Sequence, residues 1–353
     1  MSIRFPNEGD LRCAVLLAWP HQDTDWQPWL HQIDIGYRDF VTHLSRHADV
    51  LLLCRDGEHQ QHIQQLLAAS EVDQSVIRFI PATYNDTWIR DYGPISIMQA
   101  DKIQLLNFTF NAWGGKYPAS SDNAVNHFLQ QQQILNAALN DQDTILEGGS
   151  IDTDGQASLI TTSACLLSDT RNAHMQKPDW EKLFSRQLGI QQTLWLDHGG
   201  LIGDDTDSHV DMLARFCNDR TIAYTSCDDA TDIHYPPLQQ MKQQLESFTT
   251  LDGKPYRLVA LPMPKAIIDA GERLPASYAN FLILNNAVFV PSYDDPMDDI
   301  ALARLSECFP QHKVIAVKAR ALIQQYGSLH CATMQIPLAA LQSTKNMTAD
   351  HST

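Results

Sequence analysis

The run Cys13-Ala14-Val15-Leu16-Leu17-Ala18-Trp19-Pro20 is apolar at every position and stops at a proline, the pattern of a strand covered on both faces. Downstream, Ile33, Tyr37, Phe40, Val41 and Leu44 recur at helical spacing within residues 33–46, and 50–54 is a second short apolar run. A periodic, glutamine-rich helix follows at 59–69 and a strand at 76–80. Buried strands alternating with amphipathic helices place the chain in the α/β class.

The same reading predicts strands at 95–99, 103–110, 158–162, 193–196, 212–216, 221–225, 257–261, 281–284, 287–290 and 314–318. Helices are predicted at 124–140, 178–188, 237–247 and 298–308. No GxGxxG follows the first strand, so nothing marks a dinucleotide fold. No Pro/Gly/Ser-rich linker interrupts the chain, and residues 1–341 are read as one domain, with 342–353 a disordered tail.

The 353 residues carry 25 Lys+Arg against 42 Asp+Glu, a net charge of −17. Such a field attracts small cations and opposes nucleic acid and anionic membranes. No apolar run reaches the roughly 20 residues that span a bilayer, and the N-terminus lacks the features of a signal peptide. The expected location is cytoplasmic. Seven cysteines without CxxC spacing fit reduced thiols in the core.

Chemistry concentrates in a few polar, glycine- and tryptophan-rich stretches. Gly327-Ser328-Leu329-His330-Cys331 leads into an extended run ending at Pro337 and leaves Cys331 where loop meets strand, a placement suited to a nucleophile. In Asp86-Thr87-Trp88-Ile89-Arg90-Asp91-Tyr92-Gly93-Pro94, a turn holds Asp91 just before a strand, with Trp88 as an aromatic wall for a cation. Asn111-Ala112-Trp113-Gly114-Gly115-Lys116-Tyr117 is a glycine turn where backbone can approach a ligand. Glu147, followed by Gly148 and Gly149, sits in a poor helix and a poor strand.

Asp204-Asp205-Thr206-Asp207-Ser208-His209-Val210-Asp211 packs four acids around one histidine. If residues 209–211 are extended, His209 and Asp211 share a face. A metal set could be drawn from His198, Asp204, Asp205, His209, Asp211, His330 and Cys331, but no HExxH or paired-cysteine spacing supports it.

Taken in order, WIRDYGP at 88–94, FNAWGGKY at 110–117, LEGGSI at 146–151, DDTDSHVD at 204–211, ASYANF at 276–281 and GSLHC at 327–331 resemble the agmatine deiminases. These form a branch of the guanidine-modifying enzymes together with the bacterial-type peptidyl-arginine deiminases. The resemblance runs from about residue 19 to residue 337. It implies a pentein-type α/β propeller of five ββαβ-like units around a central site, hydrolysis of a small cationic guanidine, and no metal or organic cofactor. A homo-oligomer is compatible with it.

Carried over position by position, Cys331 resembles the nucleophile and His209 the general acid/base. Asp91 and Asp211 resemble the two acids that grip the guanidinium, and Glu147 the acid that positions histidine and substrate. Asp205, Trp88 and Trp113 match positions that contact substrate. The sequence departs from the family pattern at Ser208, where glycine is usual, at Asp152, where a histidine often stands, and at 325–328, where a glycine-rich turn is usual. Agmatine is the expected substrate. Arginine or peptidyl-arginine hydrolysis, a non-catalytic polyamine-binding module and a zinc hydrolase are the alternatives.

Overall fold

The computed structural model describes residues 3–342. The predicted tail, 342–353, lies outside that range except for its first residue. Five sheets share one plan. Two strands pair antiparallel, and a helical crossover then adds a third strand parallel to the second, as a parallel neighbour requires.

The first unit has Cys13–Ala18, helix Leu30–Leu44 and Val50–Cys54, extended through helix Gly57–Ala68 to Ile77–Pro81. Its antiparallel strand is Met334–Pro337 from the far end of the chain, with Met334 opposite Leu16. The second unit is Ile95–Gln99, Lys102–Thr109, helix Ser120–Gln131 and Ala138–Ile145. The third is Ile151–Thr153, Ser158–Thr162, helix Lys177–Leu188 and Gln192–Leu196. Ala214–Asn218, Thr221–Ser226, helix Tyr235–Ser247 and Arg257–Pro262 make the fourth. Leu282–Leu284, Ala287–Ser292, helix Met297–Cys308 and Lys313–Lys318 make the fifth. This is the five-unit α/β propeller that the resemblance implies.

The local physics follows the pattern read from sequence. Every residue of Cys13–Ala18 and Val50–Cys54 is buried, and helix Leu30–Leu44 buries the predicted stripe Ile33, Tyr37, Phe40, Val41 and Leu44. Two predictions fail. The helix expected at 124–140 is helix Ser120–Gln131 followed by strand Ala138–Ile145, none of whose residues is buried. It is the edge of its sheet, where polar side chains are tolerated and no apolar alternation marks the strand. The strand expected at 212–216 begins at Ala214, because Val210–Met212 forms a 3-10 turn.

What the plan positions is the segment that leads into the first strand of each unit. Asp91 precedes Ile95–Gln99, Glu147 precedes Ile151–Thr153, and His209 and Asp211 precede Ala214–Asn218. Asn280 precedes Leu282–Leu284, and Cys331 precedes Met334–Pro337. Residues 240 positions apart, Arg90 and His330, are thereby brought into direct contact.

Candidate active site

Cys331 is buried, and its Sγ lies 3.4 Å from Asp211 Oδ2 and 3.1 Å from Asn280 Nδ2. Asn280 also holds the turn, its Oδ1 accepting from the backbone N–H groups of His330 and Cys331 at 3.0 and 3.3 Å. Burial, reinforced by the charges of Asp211 and Asp91, pushes the thiol well above its ordinary range.

Asp91 sits in a short helix, Ile89–Tyr92, rather than the predicted turn. Its Oδ2 accepts from Trp113 Nε1 at 2.9 Å and its Oδ1 from the Gly149 N–H at 2.9 Å. Burial raises its carboxyl above the usual value, chiefly by desolvation. Asp211 is fully buried, yet its carboxyl is held low: burial alone would raise it, but the hydrogen bond and charge of His330 prevail. Among the described residues, Asp211 Oδ1 has no hydrogen-bond partner. Neither ring nitrogen of His209, also fully buried, has one. Its Nδ1 lies 3.6 Å from Asp91 and its Nε2 3.9 Å from Glu147.

Gly149 explains the double glycine. A Cβ there would stand 2.7 Å from His209 Nδ1, 2.9 Å from Asp91 Oδ1 and 3.0 Å from Asp211 Oδ2, so only glycine lets these three side chains converge on the backbone. Trp113 has φ 54, in the left-handed region, strain that aims its indole N–H at Asp91. Ser208, standing at a family glycine, has φ 69. Its N–H is held at 2.6 Å by Asp204 Oδ2, which helps offset the cost of about 1 kcal/mol for a side chain in that region.

Trp88, Asp91, Trp113, Asp205 and Cys331 line one cavity, with Asp25 and Asp86 also on its wall. Every predicted site residue is thus in or against one cavity: His209, Asp211 and Glu147 behind it, Trp88 and Asp205 on its lining. The geometry of 209–211 differs from the extended form assumed, since Val210–Met212 is a 3-10 turn, but both side chains still reach the Gly149 backbone.

Several members of the site carried no sequence assignment. Arg171 Nε reaches both oxygens of Glu147, at 2.8 and 3.0 Å, and its Nη1 pairs with Asp207 at 2.6 Å. Glu147, Cys165 and His209 bring three ligand-type atoms within 4.8 Å of one another. The guanidinium already paired with both Glu147 oxygens opposes a metal cation at that place. His330 and Asn280 lay within motifs quoted for the resemblance, and for His330 its position beside Cys331 was the available signal. Glu8, in what reads as a polar lead, reaches His330, Arg90 and Arg215, and nothing local in the sequence marks it.

The profile of the Porphyromonas-type peptidyl-arginine deiminases matches residues 4–337. The chain belongs to this family. An agmatine deiminase of Ectopseudomonas mendocina is 30% identical, covering 94% of this chain and 95% of its own. Among solved structures, a cysteine-to-serine variant of C. jejuni agmatine deiminase with substrate bound superposes with a TM-score of 0.89 at 39% identity, covering 96% of this chain and 97% of that one. The agmatine deiminase of Enterococcus faecalis gives 0.85 at 27% identity, covering 95% of this chain and 96% of that one. No helix among the described residues is long and apolar enough to cross a membrane.

Proposed function

We propose that this family member hydrolyses agmatine to N-carbamoylputrescine and ammonia through a covalent intermediate on Cys331, with residues 1–341 acting as one domain closed by the pairing of its last strand with its first long one. The observation that carries the reading is a buried thiol 3.4 Å from a buried carboxylate whose other oxygen has no partner. A guanidinium supplies the missing donors and the compensating charge. Asp91 and Asp211 bind it, Glu147 positions His209 against it, and Trp88, Trp113 and Asp205 line its channel.

The chemistry follows from the charges. Burial and then the charges of Asp211 and Asp91 push the Cys331 thiol up, and an entering cation relieves the repulsion from those acids, so the thiolate forms with substrate present. Its sulfur attacks the guanidinium carbon. The proton lost by the thiol is delivered through His209 to the departing nitrogen, the C–N bond breaks and ammonia leaves a thiouronium on Cys331. His209 then takes a proton from a water that attacks the same carbon. The C–S bond breaks, and the ureido product and free cysteine are restored. General acid/base help of this kind contributes on the order of 10²–10⁴-fold.

Agmatine is favoured over arginine by the cavity's charges. Lys116 is held by Asp205 at 3.0 Å and Asp207 at 3.6 Å, Arg171 by Glu147 and Asp207, and Arg90 by Glu8 and Gln335. Asp204 is engaged by Thr206 and Ser208 and Asp86 Oδ1 by the Thr87 N–H, which leaves Asp25 and the second oxygen of Asp86 on the wall to receive an ammonium. An α-carboxylate meets acids there, a discrimination on the order of 10²-fold or more. The test is ammonia and ureido-product release from agmatine, arginine, a C-terminal peptidyl-arginine and n-butylguanidine. Turnover of none refutes the deiminase reading, and equal or better kcat/KM for arginine refutes the choice of agmatine.

A further inference from the structure

Behind Asp211, away from the substrate cavity, lies a closed cluster of charged side chains that the reaction above leaves unused. His330 Nδ1 is 2.8 Å from Asp211 Oδ2, and its Nε2 is 2.5 Å from Glu8 Oε1. Glu8 also faces Arg90 Nη1 at 3.4 Å and Arg215 Nη2 at 3.0 Å, and Arg215 Nε faces Asp152 Oδ1 at 3.1 Å. His330, Asp211, Arg90, Arg215 and Asp152 are buried, and the Glu8 side chain is 14% exposed.

An imidazole between two carboxylates has one arrangement that satisfies both. A neutral ring carries one N–H and turns a lone pair towards the other acid, lone pair against lone pair. The imidazolium donates at both nitrogens. Charge balance gives the same answer independently: Glu8, Asp152 and Asp211 are three acids, Arg90 and Arg215 are two cations, and a third positive charge on His330 makes the buried set neutral. An uncompensated charge buried among them would cost several kcal/mol.

We propose that Glu8 and His330 are positioning residues of this active site: Glu8, delivered by the N-terminal segment, keeps His330 as an imidazolium, which fixes Asp211 with its partnerless oxygen turned to the substrate. The same positive charge, one residue from Cys331, offsets part of the negative field that the thiolate must form in. It also gives a use to the segment before the first long strand, which ties to the cysteine turn only because Met334–Pro337 pairs back onto Cys13–Ala18. The functional consequence rests on the deiminase reading; the protonation of His330 does not.

Two measurements separate these. In ¹⁵N-histidine NMR of the full-length protein at pH 7.5, one ring, assigned by its loss in His330→Gln or by NOEs to the Arg90 side chain, shows both nitrogens protonated. In Glu8→Gln, which keeps an acceptor but removes the charge, the doubly protonated signature of that ring weakens at the same pH. With agmatine, kcat/KM of Glu8→Gln falls at least tenfold and its alkaline limb moves to lower pH, and Glu8→Asp restores part of both. A wild-type ring with a single protonated nitrogen overturns the proposal even if no variant folds. So does a Glu8→Gln enzyme whose pH profile superimposes on the parent's. If no guanidine is turned over, the deiminase reading fails while the NMR result still decides the state of His330.

Discussion

Asp91→Asn separates binding chemistry from architecture in one substitution. Both oxygens of Asp91 accept from buried donors, the Gly149 N–H and Trp113 Nε1, each at 2.9 Å. An asparagine offers one acceptor and one NH₂, so one of those donors must face another donor. A buried unsatisfied donor costs about 1–3 kcal/mol, and release from the burial that raises the Asp91 carboxyl returns part of it. The folded protein should therefore lose only about 1–2 kcal/mol, a drop of roughly 1–3 °C in Tm for a chain of this size.

Catalysis loses much more. A guanidinium stripped of water and left with one of two acids forfeits about 3–5 kcal/mol, on the order of 10²–10⁴-fold in kcat/KM. The acid side of the pH profile supplies a second reading. Guanidinium binding needs ionised Asp91, and burial raises its carboxyl, so wild-type kcat/KM should fall on acidification at a pH above the usual carboxylate range. The residual activity of Asp91→Asn should lack that limb. Steady-state ammonia release from pH 4.5 to 9, beside thermal melts, tests both. A folded Asp91→Asn enzyme within tenfold of the parent, or one that keeps the acid limb unchanged, would refute the assignment of Asp91 to the guanidinium.

Cys331→Ala should abolish turnover while leaving the melt near that of the parent, and mass spectrometry of substrate-quenched enzyme should place the adduct on Cys331; an adduct on Cys165 instead sinks the nucleophile assignment. Gly149→Ala should cost at least 10²-fold in kcat/KM, since its Cβ falls 2.7 Å from His209 Nδ1 and 2.9 Å from Asp91, and near-normal activity would mean those groups are not held as described. Asp122 concerns stability. Burial pushes its carboxyl up to about 8 from the ordinary 3.8, so the stability this group contributes is complete below the unfolded value and is lost as pH rises through about 8. Asp122→Asn keeps an acceptor for the Asn85 and Asp86 N–H groups that Asp122 now serves and should be more stable than the parent by about 2–5 kcal/mol at pH 9, an advantage that shrinks as pH falls towards the unfolded value. Parallel melting curves for the two proteins across that range would contradict the buried charge.

Sequence by itself determined what depends on neighbours within a few residues. The all-apolar run at 13–18 and the stripe Ile33, Tyr37, Phe40, Val41 and Leu44 specify a covered strand and a core-facing helix because burial reads side-chain periodicity directly. The ordered motifs around Asp91, Glu147, His209, Asp211 and Cys331 likewise marked residues that the fold brings together. Tertiary structure decided what depends on closure of the ring. Ala138–Ile145 is a strand only because Lys102–Thr109 lies beside it, its own polar side chains giving no period. Lys116, at the end of the glycine turn, is spent on Asp205 and Asp207, which lie 89 and 91 positions further on. Glu8 stands 322 residues from His330 in sequence and within hydrogen-bonding distance of it in space. Its side chain has no local reason to be there, since the force that brings it is the pairing of the last strand with the first long one, a contact that no short window of residues contains.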